Sequence, residues 1–109
     1  MSEPASVVGN ELRHVVLLRA RPEILQPQEA GIESALERLV ERQSQGSNAQ
    51  LTHDLGFRPE SDRAATWMVS IDFADAEHFF EYLASPEHTN FIRDHGPNLE
   101  TLLSIQISV

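Results

Sequence analysis

From Ala65 to Phe73 the chain alternates without a fault, with Trp67, Val69, Ile71 and Phe73 on one side and Thr66, Met68, Ser70 and Asp72 on the other. An apolar period of two over that length suits a strand buried on one face and does not suit a helix. The chain therefore has to build a sheet and supply something to cover it. The same period recurs in Leu12, His14, Val16, Leu18 and Ala20, ending at Pro22, and in Leu51, His53, Leu55 and Phe57. It returns at the C-terminus, where Leu103, Ile105, Ile107 and Val109 alternate with Leu102, Ser104, Gln106 and Ser108. Cover comes from helical spacing. Pro27 opens a helix to about Gln45 with a stripe of Ile32, Leu36, Leu39 and Val40, and Gly46-Ser47-Asn48 stops it. Asp75 caps a second helix that packs through Ala76, Phe79, Phe80 and Leu83, and Ser85-Pro86 begins a third that Gly96-Pro97 closes.

The charged turn Arg58 to Arg63 joins two strands, so a hairpin is expected there. The order is strand, helix, strand, strand, helix, strand. That is the β-α-β-β-α-β pattern of ferredoxin-like α+β folds: a four-stranded antiparallel sheet with its helices on one face. Residues 12–109 form this one domain, and residues 1–11, without period, read as a flexible N-terminal leader. The uncovered sheet face is expected to carry Val15, Leu17, Met68 and Leu102 among polar residues, too apolar to stand wholly in water. Two copies pairing through it, as a dimeric α+β barrel, is the expected answer.

Composition removes whole classes of function. A net charge of -9 argues against nucleic acid or an anionic membrane as partner, since both need clustered cations. All eight basic residues are Arg, so no lysine can form a Schiff base or serve a phosphate loop. There is no Cys, hence no disulfide or thiolate, and no His-Glu-x-x-His or similar array for a metal. Apolar runs are far too short to span a membrane, and a cytoplasmic protein is expected.

The chemistry that remains lies in imidazoles and a phenol. With Ser85 as N-cap, His88 is the third helical residue, where unpaired N–H groups and the positive end of the helix dipole disfavour imidazolium. Such a histidine stays neutral near pH 7 and can accept a proton. Tyr82 lies six residues earlier, across the Ser-Pro corner. Strand alternation puts His14, His53 and Trp67 on the covered face, so His14, Trp67, Tyr82 and His88 are expected to converge between sheet and helices. His88, Tyr82 and His14 are the catalytic candidates, and Trp67, His53, Phe79 and Phe91 the ligand-binding ones. The competing reading is that each is a packed core residue with its polar end hydrogen-bonded.

Arg13-His14-Val-Val-Leu-Leu18, the helix opening Phe73-Ala-Asp-Ala-Glu77 and above all Glu81-Tyr-Leu-Ala-Ser-Pro-Glu-His88 resemble the stress-responsive A/B barrel (Dabb) domain family over residues 12 to 109. The resemblance implies a ferredoxin-like protomer in a dimeric barrel. It is also similar to the plant polyketide cyclases of that family, and this implies cofactor-independent aldol chemistry on a small hydrophobic carbonyl or aromatic compound. His88 would then be the general base, Tyr82 its orienting or carbonyl-binding partner, and His14 a further pocket histidine. Trp67 stands where the cyclase has another histidine, which implies a smaller, less polar pocket. Members without activity imply the alternative, a stress-responsive structural or ligand-binding dimer.

Overall fold

The computed structural model describes residues 11–109. The leader expected over residues 1–11 lies outside the described residues, Glu11 excepted. The elements are strand β1 (Leu12–Ala20), helix α1 (Gln26–Arg42), strands β2 (Ser47–His53) and β3 (Trp67–Phe73), helices α2 (Ala76–Ala84) and α3 (Pro86–His95), a short 3-10 turn at Gly96–Asn98, and strand β4 (Leu99–Ser108). All pairings are antiparallel, in the order β2-β3-β1-β4. This is the ferredoxin-like α+β sheet that the sequence pattern calls for.

Local chemistry sets the boundaries. Gln28 Oε1 accepts from the Leu25 N–H at 3.0 Å at the start of α1. At its end Gln43 turns back, its Oε1 accepting from the Gly46 N–H at 2.8 Å. Gly46 is needed there, because a Cβ would lie 2.5 Å from Ile71 Cγ2 and 2.6 Å from the Asp72 carbonyl oxygen. Asp75 caps α2 through the His78 N–H at 2.9 Å. The core forms where α1 and α2 press Ile32, Leu36, Leu39, Phe79 and Tyr82 onto the buried residues of β3.

Three expectations need correction. The second strand starts at Ser47 and ends at His53, so Leu55 and Phe57 stand in the following loop, 79% and 81% exposed. Within α2, Ala76 and Phe80 face solvent, and Tyr82 takes the packing position. The third correction is the largest. Leu17 pairs with Leu103, but Leu18 pairs with Thr101, so a bulge absorbs Leu102. One extra residue exchanges the faces of everything beyond it. Leu103, Ile105 and Ile107, opposite Leu17, Val15 and Arg13, therefore belong to the open face, while Ser104 and Gln106, opposite Val16 and His14, turn to the helix side.

Candidate functional site

The corner at Ser85 builds the centre of the site. Ser85 Oγ donates to the Tyr82 carbonyl at 2.7 Å and accepts from the His88 N–H at 3.3 Å, so one buried hydroxyl ends α2 and begins α3. The Tyr82 and His88 rings are thereby brought edge to face, with centroids 4.9 Å apart. From the sheet, His14 reaches the same place: its ring lies 6.2 Å from that of Tyr82 and 5.0 Å from that of Phe79.

These three rings border a cavity of about 560 Å³, within the range of small-molecule sites. Its walls are mostly aliphatic and aromatic, including Val16, Leu36, Val69, Leu83 and Phe91, with Thr101 and Ser104 from β4, and among the described residues no acidic or basic side chain besides the two histidines lines it. Burial pushes the His14 imidazole below its ordinary pKa, against the effect of its hydrogen bond to Gln106. Burial does the same to His88, opposed by a backbone hydrogen bond at Leu83 and reinforced by the nearness of His14. Both rings are therefore neutral at pH 7, His88 as the sequence leads one to expect, though through burial more than through the helix dipole. The Tyr82 phenol, 2% exposed, is pushed up by burial and stays protonated. Among the described residues, its hydroxyl has no hydrogen-bond partner. Two proton acceptors and one donor thus share an uncharged cleft.

His14, Tyr82, His88 and Phe91 all line the cavity, and Phe79 backs the His14 ring. Trp67 and His53, expected beside them, are drawn elsewhere. Trp67 Nε1–H donates to Glu33 Oε1 at 2.8 Å, and His53 Nε2 lies 3.8 and 3.6 Å from the Glu29 and Glu33 carboxylates. The cause is the strand order. His53 sits on β2 at the sheet edge opposite β4, and Trp67 beside it goes under α1, whereas the cavity lies toward β1 and β4. In exchange the sequence reading missed Gln106. Its Oε1 lies 2.7 Å from His14 Nδ1, and the bulge that turned it inward left no local signal.

Among the described residues, no three His, Asp or Glu side chains are grouped to hold a metal ion, and no helix is long and apolar enough to cross a membrane.

Residues 12–109 match the model of the Stress responsive A/B Barrel Domain. No curated protein matches the chain. Solved structures do. A dimeric ferredoxin-like protein of unknown function from Thermobifida fusca is 22% identical with a TM-score of 0.77, covering 93% of this chain and 92% of its own. The hydroxynitrile lyase of Passiflora edulis is 20% identical with a TM-score of 0.74, covering 93% and 94%. A putative antibiotic biosynthesis monooxygenase from Chloroflexus aurantiacus is 12% identical with a TM-score of 0.69, covering 91% and 92%.

Proposed function

The chain belongs to the stress responsive A/B barrel domain family, and we propose that it is a cofactor-independent acid/base catalyst acting on a small, neutral, hydrophobic carbonyl compound. The observation that carries this reading is the meeting of His14, Tyr82 and His88 at one uncharged apolar cavity. His88, held neutral by burial, takes a proton from carbon next to the carbonyl. The protonated Tyr82 hydroxyl donates to the oxygen on which negative charge develops. The apolar wall keeps water away and strengthens both interactions. The structural neighbour from Passiflora edulis is a hydroxynitrile lyase, so the same fold also serves as an enzyme. The protein works as a homodimer whose two copies meet through the open sheet face, with no nucleic acid or membrane partner.

Proton abstraction is read directly by NMR, as exchange of the α-hydrogens of small aryl methyl ketones for deuterium in D2O. Exchange above the buffer rate is expected from the wild type, and His88→Ala should lower it by roughly 10²–10⁴-fold, the usual worth of a positioned base. Exchange at the buffer rate, or unchanged in His88→Ala, would reject catalysis. Ligand-induced shifts without exchange would favour the alternative, a binding dimer.

A further inference from the structure

His14 carries a contact that the proposed chemistry does not use. Its Nδ1 lies 2.7 Å from Gln106 Oε1, and Ser104 Oγ approaches the same oxygen at 3.5 Å. An amide oxygen only accepts, so Nδ1 must hold the ring's single proton and donate it. Nε2 is then left with its lone pair on a ring that lines the cavity, and among the described residues it has no protein partner. We propose that Gln106 is a positioning residue that fixes His14 as the cavity's hydrogen-bond acceptor, and that the site thereby takes uncharged ligands bearing a hydroxyl beside the carbonyl.

The geometry separates two hydrogen-bonding tasks. Tyr82 Oη, protonated, is the donor for a carbonyl oxygen, and His14 Nε2 is the acceptor for a neighbouring hydroxyl. The groups facing His14 are Phe79 and Tyr82 from α2, Gln106 and Ser104 from β4, and, at the cavity, His88 from α3. Ile71 is its partner on β3. None of these is a carboxylate, and burial favours the uncharged ring. A carboxylate in place of Gln106 would do the opposite: it would stabilise imidazolium and abolish the acceptor. A carboxylate ligand entering the wild-type cavity finds neither Arg nor charged His to meet it.

The inference rests on the cavity being the site, but its test needs no turnover. The tautomer of His14 is read from nitrogen-15 couplings in the ligand-free protein. Three probes of similar size follow by titration: 2-hydroxyacetophenone, acetophenone and mandelate. The wild type should show the Nδ1–H form, bind 2-hydroxyacetophenone at least about fivefold tighter than acetophenone, the worth of one ordinary hydrogen bond, and show no saturable binding of mandelate. Gln106→Leu should give mixed tautomers and equalise the two ketones. Gln106→Glu should shift the His14 titration upward, without bringing in mandelate, because the new carboxylate cancels the imidazolium charge. Because Gln106 is exposed on an edge strand, both variants should fold. A wild-type Nε2–H tautomer, a hydroxyl preference that survives Gln106→Leu, or the absence of binding by either ketone would overturn the proposal. Failed exchange with the tautomer and hydroxyl preference intact would remove the catalysis alone.

Discussion

At the scale of single residues, the site is made of groups that cost stability. Tyr82 lines the cavity, and its hydroxyl has no partner among the described residues, so removing it takes no hydrogen bond from the fold. Tyr82→Phe should therefore leave stability unchanged or raise it by up to about 1 kcal/mol, while lowering proton exchange by roughly 10²–10³-fold. Urea unfolding and the exchange assay measure the two effects on the same sample, and a clearly destabilised variant would mean that the hydroxyl is structural. The histidines make a second prediction. Folding holds the pKa of His14 and His88 below the ordinary value, so the unfolded chain binds more protons than the folded one as pH falls below about 6.5. Their contribution to stability is full above that pH and is lost on acidification towards their folded values. His78 has the opposite sign, since Asp75 raises it, but that pair is exposed and weak. Stability is expected to drop between pH 7.5 and 5.5, and to drop less when His14 and His88 are both replaced by Gln. A wild type equally stable at the two pH values would contradict the burial argument.

At the scale of elements, what could be read in the sequence was whatever is local. Alternation placed β1 and β3 correctly, and Asp75 and Ser85 marked the starts of α2 and α3, because a cap and a period are properties of neighbouring residues. The bulge at Leu102 is different in kind. It exists because two strands from opposite ends of the domain slip by one, and neither strand alone carries a sign of it, so alternation alone points β4 to the wrong face and hides Gln106. The start of β2 was missed for a related reason. Gly46 and Asn48 look like a loop, yet Gly46 is small because β3 passes over it, and Asn48 holds φ at 50° while its amide donates to Asp72 at 3.1 Å. Tyr82 and His88 could be found because six residues and one Ser-Pro corner separate them, whereas the exclusion of Trp67 and His53 depended on strand order. Gly46→Ala tests the non-local part. The added methyl meets a backbone carbonyl that cannot turn aside, and a cost of about 1–3 kcal/mol is expected. For a chain of this size each kcal/mol lowers the melting temperature by roughly 4–8 °C. Gly31→Ala, with open space around it on α1, is the control and should stabilise by up to about 1 kcal/mol. Equal melting temperatures for the two variants would show that the crossing beneath β3 is looser than described.

At the scale of the whole molecule, the bulge has a second effect, because turning Gln106 inward turns Ile105 outward. The open sheet face then gathers Val15, Leu17, Met68, Leu103 and Ile105 at its centre. Leu103, Ile105 and Ile107 are 47%, 43% and 43% exposed in the single chain. The charges on that face are already matched: Arg13 grips Asp72 at 2.7 and 3.1 Å towards one end, and Arg19 holds Glu100 at 2.9 Å towards the other. A face whose ion pairs are internally satisfied around an apolar middle loses little when water leaves it, which is what a second copy requires. Light scattering at tens of micromolar should therefore give twice the mass of one chain. Ile105→Glu would bury an unpaired carboxylate at the centre and should raise the dissociation constant by at least about 30-fold, the lower limit for a dominant interface residue. A wild type that runs as a monomer would sink the pairing. The cavity is lined from one chain and lies on the other face of the same strand. The Ile105→Glu monomer should thus still bind 2-hydroxyacetophenone, and losing that binding together with the dimer would mean that β4 needs its second copy to hold His14 and Gln106 in place.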